Sequence, residues 1–177
     1  LRKVLTFRSS RIVVFDKGRS EKKEALANKS ILKQPLKSTF HRYKSAIEDT
    51  GFSLQTNENQ YYVSNSREDV MIGIAPFSLH FTKTYPVEKI KSLIEQLTEE
   101  IGCKIILFGS KDEKKELEKL LLTPNIQLSN SNNIREEMAQ MANLSLMISM
   151  DSANMHLASL VEIPVISIWG GTHPNMG

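Results

Sequence analysis

The sequence predicts an α/β fold built on a Rossmann-like parallel sheet with helices on both faces, and three observations carry that prediction. From residue 70 onward, short apolar runs alternate with segments whose apolar residues recur at helical spacing. The strand candidates are continuous apolar stretches rather than in–out alternations, as expected of strands buried on both faces. The connections between them are short, which makes each helix a crossover between parallel neighbours.

The elements follow in order. Residues 70–75 form a short apolar, β-branched run. Residues 87–101 place Val87, Ile90, Leu93, Ile94, Leu97 and Ile101 on one helical face. Residues 104–108 are strand-like, and 112–122 are helical with Leu117, Leu120 and Leu121 aligned. A short strand is expected at 126–128 and a helix at 134–143, with Ile134, Met138, Met141 and Ala142 on one side. Residues 146–149 read as a strand, 152–161 as a helix and 164–169 as the last strand.

Residues 1–69 are less regular. Residues 11–15 (Arg-Ile-Val-Val-Phe) read as a strand and Asp16-Lys17-Gly18 as its turn. Residues 20–37 are polar and basic, expected as loop with some helix. Residues 39–49 read as a helix with Phe40, Tyr43 and Ile47 on one side, and 52–69 as an extended linker or hairpin. Two regions are therefore expected: 1–69, part of an N-terminal α/β domain with its linker, and 70–177, a C-terminal ligand-binding domain. The chain starts at Leu1 without a Met, and the first region reads as the tail of a domain that begins earlier.

Charge divides along similar lines. Residues 1–50 carry 13 Lys and Arg against 5 Asp and Glu, whereas 51–177 carry 10 against 15. The basic half suits an anionic lipid surface or a phosphorylated acceptor, or is simply a solvated basic surface. No interleaving of aromatic and basic residues favours a nucleic-acid partner. No apolar run reaches the ~18–20 residues of a membrane-spanning helix, and the N-terminus lacks a signal-peptide stretch. The lone Cys103 excludes an internal disulfide, fits a reducing compartment, and reads as a small buried residue.

In a parallel sheet of this kind ligands bind outside the carboxyl ends of the strands. Five loops lie there: 76–85, 109–112, 129–133, 150–152 and 170–174. They are polar loops that carry glycine, hydroxyl and charged residues. The first offers Ser78, Thr82 and Lys83 ahead of a helix beginning near Pro86. A lysine beside a helix N-terminus opposes the dipole, and an anionic ligand between them would resolve the conflict; the alternative is a solvated lysine. In the fourth loop, Ser152, Ala153 and Asn154 present free N–H groups at a helix start, suited to a diphosphate. Asp151 reads either as a ligand contact or as a plain N-cap. His156, one turn in, reads from its position alone as a packed or surface residue. Asn133 with Glu136 resembles a capping box.

Absent motifs narrow the chemistry. There is neither a P-loop nor a G-x-G-x-x-G fingerprint. Asp16, Asp49, Asp69, Asp112 and Asp151 form no D-x-D pair, and no Cys/His cluster suggests a metal. A diphosphate here would have to be neutralised by Lys, hydroxyls and helix N-termini, without metal or cofactor.

Four segments together resemble glycosyltransferase family 9, the heptosyltransferases of lipopolysaccharide core assembly. They are Ile74-Ala-Pro-Phe-Ser with Lys83-Thr-Tyr-Pro86; Leu107-Phe-Gly-Ser-Lys-Asp-Glu113; Ile148-Ser-Met-Asp151-Ser-Ala-Asn-Met-His156-Leu-Ala158; and Pro164-Val-Ile-Ser-Ile-Trp-Gly-Gly-Thr-His-Pro174. Phe15-Asp-Lys-Gly18 and Pro35-Leu-Lys-Ser-Thr-Phe-His-Arg42-Tyr43 add a weaker likeness. The resemblance implies a GT-B-type architecture of two domains, with the C-terminal one binding a nucleotide sugar such as ADP-heptose and the N-terminal one a lipopolysaccharide inner-core acceptor. It implies metal-independent, inverting transfer in the cytoplasm, at the inner face of the inner membrane. Ser78 and Lys83 match phosphate- and sugar-contacting positions. Glu113 matches the acid that bonds the ribose, and Asn132 a backbone contact to the base. Asp151 matches a sugar-contacting acid, Ser152, Ala153 and Asn154 the phosphate-binding helix start, and His156 the family histidine. Lys83 and Asp151 are the pair expected to act in catalysis.

The chain departs from the family at Ala153, where glycine is usual, at Asn154, which replaces Pro or Leu, and at His80 and Phe81, which enlarge the first loop. The family's general base belongs to an acidic loop expected before Leu1, and its closing helices are expected after Gly177. These departures motivate the alternative of a non-catalytic nucleotide-binding or scaffolding module. A sugar-nucleotide epimerase fits the sheet but not the order of the motifs.

Overall fold

The computed structural model describes residues 13–30, 33–55 and 70–176. The chain forms two compact units: Leu1–Asn59 with His173–Gly177, and Gln60–Thr172. The boundary expected at 69/70 borders residues outside the described ones.

In the first unit, helix α1 spans Arg19–Ala27 and α2 spans Thr39–Glu48. The Ser38 hydroxyl caps α2 by accepting the His41 N–H. One residue ties the helices together. The guanidinium of Arg42, buried in α2, donates to the Lys37 carbonyl at 2.9 Å, to Asp16 Oδ2 at 3.4 Å and to Glu21 Oε2. Three acceptors satisfy a cation that would otherwise be costly to bury. Phe15 stacks on Tyr43 with ring centroids 4.1 Å apart. The strand expected over residues 11–15 does not form in its described part, 13–15. A strand needs a pairing neighbour, and the described residues of this unit supply none. Residues 52–55 have no regular structure, and the rest of the expected linker lies outside the described residues. The C-terminal residues join this unit through the Leu36 N–H, which donates to the Asn175 carbonyl at 2.8 Å.

The second unit is a five-stranded parallel sheet. Its strands are β1 Met71–Ala75, β2 Lys104–Leu107, β3 Ile126–Leu128, β4 Leu146–Met150 and β5 Val165–Ile168. Their spatial order is β3-β2-β1-β4-β5. The helices between them are α3 Val87–Gln96, extended by a wider turn over Leu97–Ile101, α4 Lys114–Glu118, α5 Ile134–Met141 and α6 Ala153–Leu160. Side chains alternate across the sheet and build two cores. Ile72, Ile74, Ile105 and Ile148 pack with Ile90 and Ile94 of α3 and Leu117 of α4. Ala75 and Met147 pack on the other face with Met141 of α5 and Ala158 of α6. Two helices therefore cover each face, which is why the strands read as continuous apolar runs.

Two local findings refine the sequence reading. The helix expected over 112–122 begins as a tight turn at Lys111–Glu113 and closes at Glu118. Leu121 consequently turns outward while Leu122 packs against the core. Pro124 disfavours helical backbone in the residue before it and shortens the element. Gly73 sits in the middle of β1, where glycine weakens a strand. A Cβ there would lie 2.5 Å from Leu144 Cδ1 and 2.6 Å from Met147 Sδ, so close packing of the second core requires its absence.

Candidate functional site

The strand order reverses direction between β1 and β4, and this is where an open parallel sheet leaves a crevice at its carboxyl edge. The loop after β1 brings Ser78 and Lys83 to that point, and the loop after β4 brings Asp151. Lys83 closes a tight turn, Phe81–Lys83, in which its N–H donates to the His80 carbonyl. The loop after β5 joins them through the Gly171 N–H, which donates to the Thr82 carbonyl. A Cβ on Gly170 would stand 2.5 Å from that same carbonyl, so only glycine permits the approach.

These loops converge on one carboxylate. Asp151 Oδ2 accepts from Lys83 Nζ at 2.6 Å and from Thr172 Oγ1 at 2.8 Å. The Asp151 carbonyl accepts from the Ser78 hydroxyl at 3.2 Å. The Lys83 side chain is 24% exposed and that of Asp151 15%. Burial pushes the Asp151 carboxyl up, but the hydrogen bonds from Lys83 and Thr172, with the charges of Lys83 and His156, outweigh it and hold the group below the usual aspartate value.

Two alternatives left open by sequence are resolved here. Asp151 is not an N-cap: Ser152 occupies that position of α6, and the Asp151 carboxylate faces Lys83 and Thr172 instead. Lys83 is not a lone solvated cation, since it is paired with Asp151. Nor does Ser152 cap α6 with its side chain; its hydroxyl meets that of the buried Ser149 at 3.2 Å. The start of α6, at Ala153 and Asn154, thus has no side-chain cap from Ser152. His156 lies exposed on α6, near enough for its charge to act on Asp151.

Glu113 and Asn132 lie apart from that cluster, at the neighbouring ends of β2 and β3. A cleft of about 550 Å³ opens there, lined by Ser110, Lys114, Ser129, Asn132, Ile134 and Glu137 among others. Glu113 makes a capping box: its Oε2 accepts from the Ser110 N–H at 2.7 Å and from the Ser110 hydroxyl at 2.9 Å. The Asn132 N–H donates to Glu136 Oε2 at 2.8 Å, so that backbone donor is engaged within the protein. Asn133 caps α5, its Oδ1 accepting from the Arg135 and Glu136 N–H groups, but the reciprocal half of the expected capping box does not form, because the Glu136 carboxylate takes the Asn132 N–H and the Asn133 side-chain amide instead. Bonds from the Asn132 backbone and the Asn133 side chain push the Glu136 carboxyl down.

Two contributors escaped sequence reasoning. Thr172 follows the Gly170-Gly171 pair in a carboxyl-end loop, and that position was the available signal. Glu137 was hidden among the polar residues of α5. Among the described residues no group of three or more His, Cys, Asp or Glu side chains is placed to hold a metal ion, and no helix is long and apolar enough to cross a membrane.

The chain has recognisable relatives. The family model for glycosyltransferase family 9 (heptosyltransferase) matches residues 18–176. The fold is similar to that of the E. coli heptosyltransferase WaaC solved with ADP, at 19% identity and a TM-score of 0.65, covering 79% of this chain and 47% of that one. It is similar to E. coli ADP-heptose lps heptosyltransferase II at 24% identity and a TM-score of 0.56, covering 64% and 36%. A glycosyl transferase family 9 structure from Veillonella parvula DSM 2008 gives 21% and 0.55, covering 63% and 32%. At these identities the likeness establishes the fold. The chain spans between about a third and a half of the length of these solved proteins. No curated protein matches the sequence.

Proposed function

The chain belongs to glycosyltransferase family 9, and from that premise we propose that its second unit holds the sugar donor of a heptosyltransferase. The observation that carries this reading is the convergence of Lys83, Asp151 and Thr172 beside the uncapped start of α6. A diphosphate suits that place, because an ammonium and aligned N–H groups face it together. The proposed donor is ADP-heptose. Lys83 and the Ser152–Ala153–Asn154 turn hold its phosphates, Ser78 supports them, and Asp151 with His156 faces the sugar. Asn132 lines the cleft proposed for the nucleoside, and Glu113, in the turn after β2, is proposed to meet the ribose.

The proposed reaction inverts the anomeric carbon. A hydroxyl of a lipopolysaccharide inner-core acceptor forms the new C–O bond as the bond from that carbon to the diphosphate oxygen breaks. The acceptor's proton passes to a base, and the diphosphate leaves with the electron pair. Charge grows on the leaving phosphate, where Lys83 and the α6 N–H groups stabilise it without a metal. Neither Asp16 nor Asp49 is assigned as the base: Asp16 is held by Arg42, and Asp49 ends α2. The excess of Lys and Arg in residues 1–50 supports a cytoplasmic protein that meets the anionic inner face of the membrane.

A thermal-shift titration tests the reading, using ADP, ADP-heptose, GDP and UDP in the presence of EDTA. Stabilisation of about 2.7 kcal/mol is expected at a hundredfold excess of the right ligand over its Kd. Selective stabilisation by ADP and ADP-heptose supports the proposal. Selectivity for GDP or UDP replaces the donor, and no shift in a folded sample overturns the site.

A further inference from the structure

The first turn of α5 contains a residue that breaks the helix's own pattern. Met141 is buried against the sheet and Met138 is half-buried, and Glu137, three residues after the exposed Ile134 and four before Met141, lies on the same side of the helix. The side chain is half-buried, and it lines the cleft at the ends of β2 and β3 with Ile134, Leu107 and Leu128. It has no hydrogen-bond or ion-pair partner among the described residues. Lys111 and Lys114 reach the same cleft from the turn after β2 without pairing to it. Burial pushes the Glu137 carboxyl up, and no neighbouring charge offsets that. A half-buried carboxyl without a partner is unfavourable unless something else satisfies it.

The surroundings indicate the kind of ligand that would do so. The apolar wall of Leu107, Leu128 and the exposed Ile134 suits the face of a flat ring. In the proposed donor site the phosphates lie at Lys83 and the start of α6, which leaves the cleft beside Glu137 for the heterocycle. A carboxylate accepts hydrogen bonds and pairs best with an amino group; a carbonyl oxygen in that place would be repelled. We infer that Glu137 determines base specificity, accepting a hydrogen bond from an amino group on the edge of a bound nucleobase. The inference rests on the nucleotide reading of this edge of the sheet, and it adds the residue that reads the base.

Two ligand pairs, each differing in one amino group, test it. They are ADP with purine riboside 5′-diphosphate, and GDP with IDP. Calorimetric Kd values are measured for the whole chain and for Glu137→Leu, with circular dichroism to confirm folding. In the wild-type chain, the amino-bearing member of the preferred pair is expected to bind about tenfold more tightly. In Glu137→Leu that ratio should fall to within about twofold, while the phosphate end still binds. A ratio that persists in the variant overturns the assignment and leaves the nucleotide site intact, as does a wild-type chain that binds nucleotides without distinguishing the pair. Absence of binding by every diphosphate overturns the site itself, and this inference with it.

Discussion

Lys83 and Asp151 stand 68 residues apart in sequence and 2.6 Å apart in space, and their contact joins the loops at the ends of the two strands where the sheet changes direction. Asp151 also takes the Thr172 hydroxyl, so three loops meet on one oxygen. Replacing Lys83 by Ala removes the only cation bonded to that carboxylate among the described residues. Under the proposed function, turnover of the complete protein with a nucleotide-sugar donor is expected to drop about 10²–10³-fold. Steady-state kinetics of the variant check this, and near-wild-type turnover would remove Lys83 from the reaction.

The lowered Asp151 carboxyl links stability to pH. Its charged form is favoured by the fold, so its contribution is fully present above the unfolded value of about 3.9 and disappears as pH falls through the lower native value. Asp151→Asn should therefore be less stable than wild type at pH 7 and approach it in strong acid. Urea denaturation at pH 7 and pH 3 measures the difference, and an equal gap at both would contradict the linkage.

Glu137 has the opposite sign. Its native carboxyl is raised, so the fold disfavours the ionised form, and the cost appears as pH rises past about 4.3. Glu137→Leu is expected to gain a few tenths to about 1 kcal/mol at pH 7. The part of the gain that comes from ionisation should vanish near pH 3, so the gap should be larger at pH 7 than at pH 3, and a variant less stable than wild type at pH 7 would refute it.

The starts of α5 and α6 differ in a testable way. Asn133 caps α5 through two backbone bonds, so Asn133→Ala should cost about 1 kcal/mol. Ser152 makes no such bond, and Ser152→Ala should change stability by less than about 0.5 kcal/mol. Thermal melts of both variants make the comparison.

Gly73 allows no side chain. Gly73→Ala pushes a methyl into Leu144 and Met147 and should cost about 1–3 kcal/mol. A melting temperature equal to wild type would mean that the second core yields more easily than its packing implies.

The sequence alone determined what depends on neighbours along the chain. The switch between apolar runs and helical spacing marked five strands and the helices between them, because burial on both faces leaves a local pattern. Asn133 was legible as a cap for the same reason: a cap lies within one turn of what it bonds. The tertiary structure decided what depends on residues far apart. Asp151 looked equally suited to capping or to a ligand until the loops after β1 and β5 brought Lys83 and Thr172 to its carboxylate. Residues 11–15 had the composition of a strand, but the described ones, 13–15, find no pairing partner among the described residues, and composition does not supply one. Glu137 read as one more polar helix residue, and only the position of α5 over the sheet turned it into the cleft. Local periodicity specifies the elements; the charges that meet at a site are specified by how the strands are ordered in space.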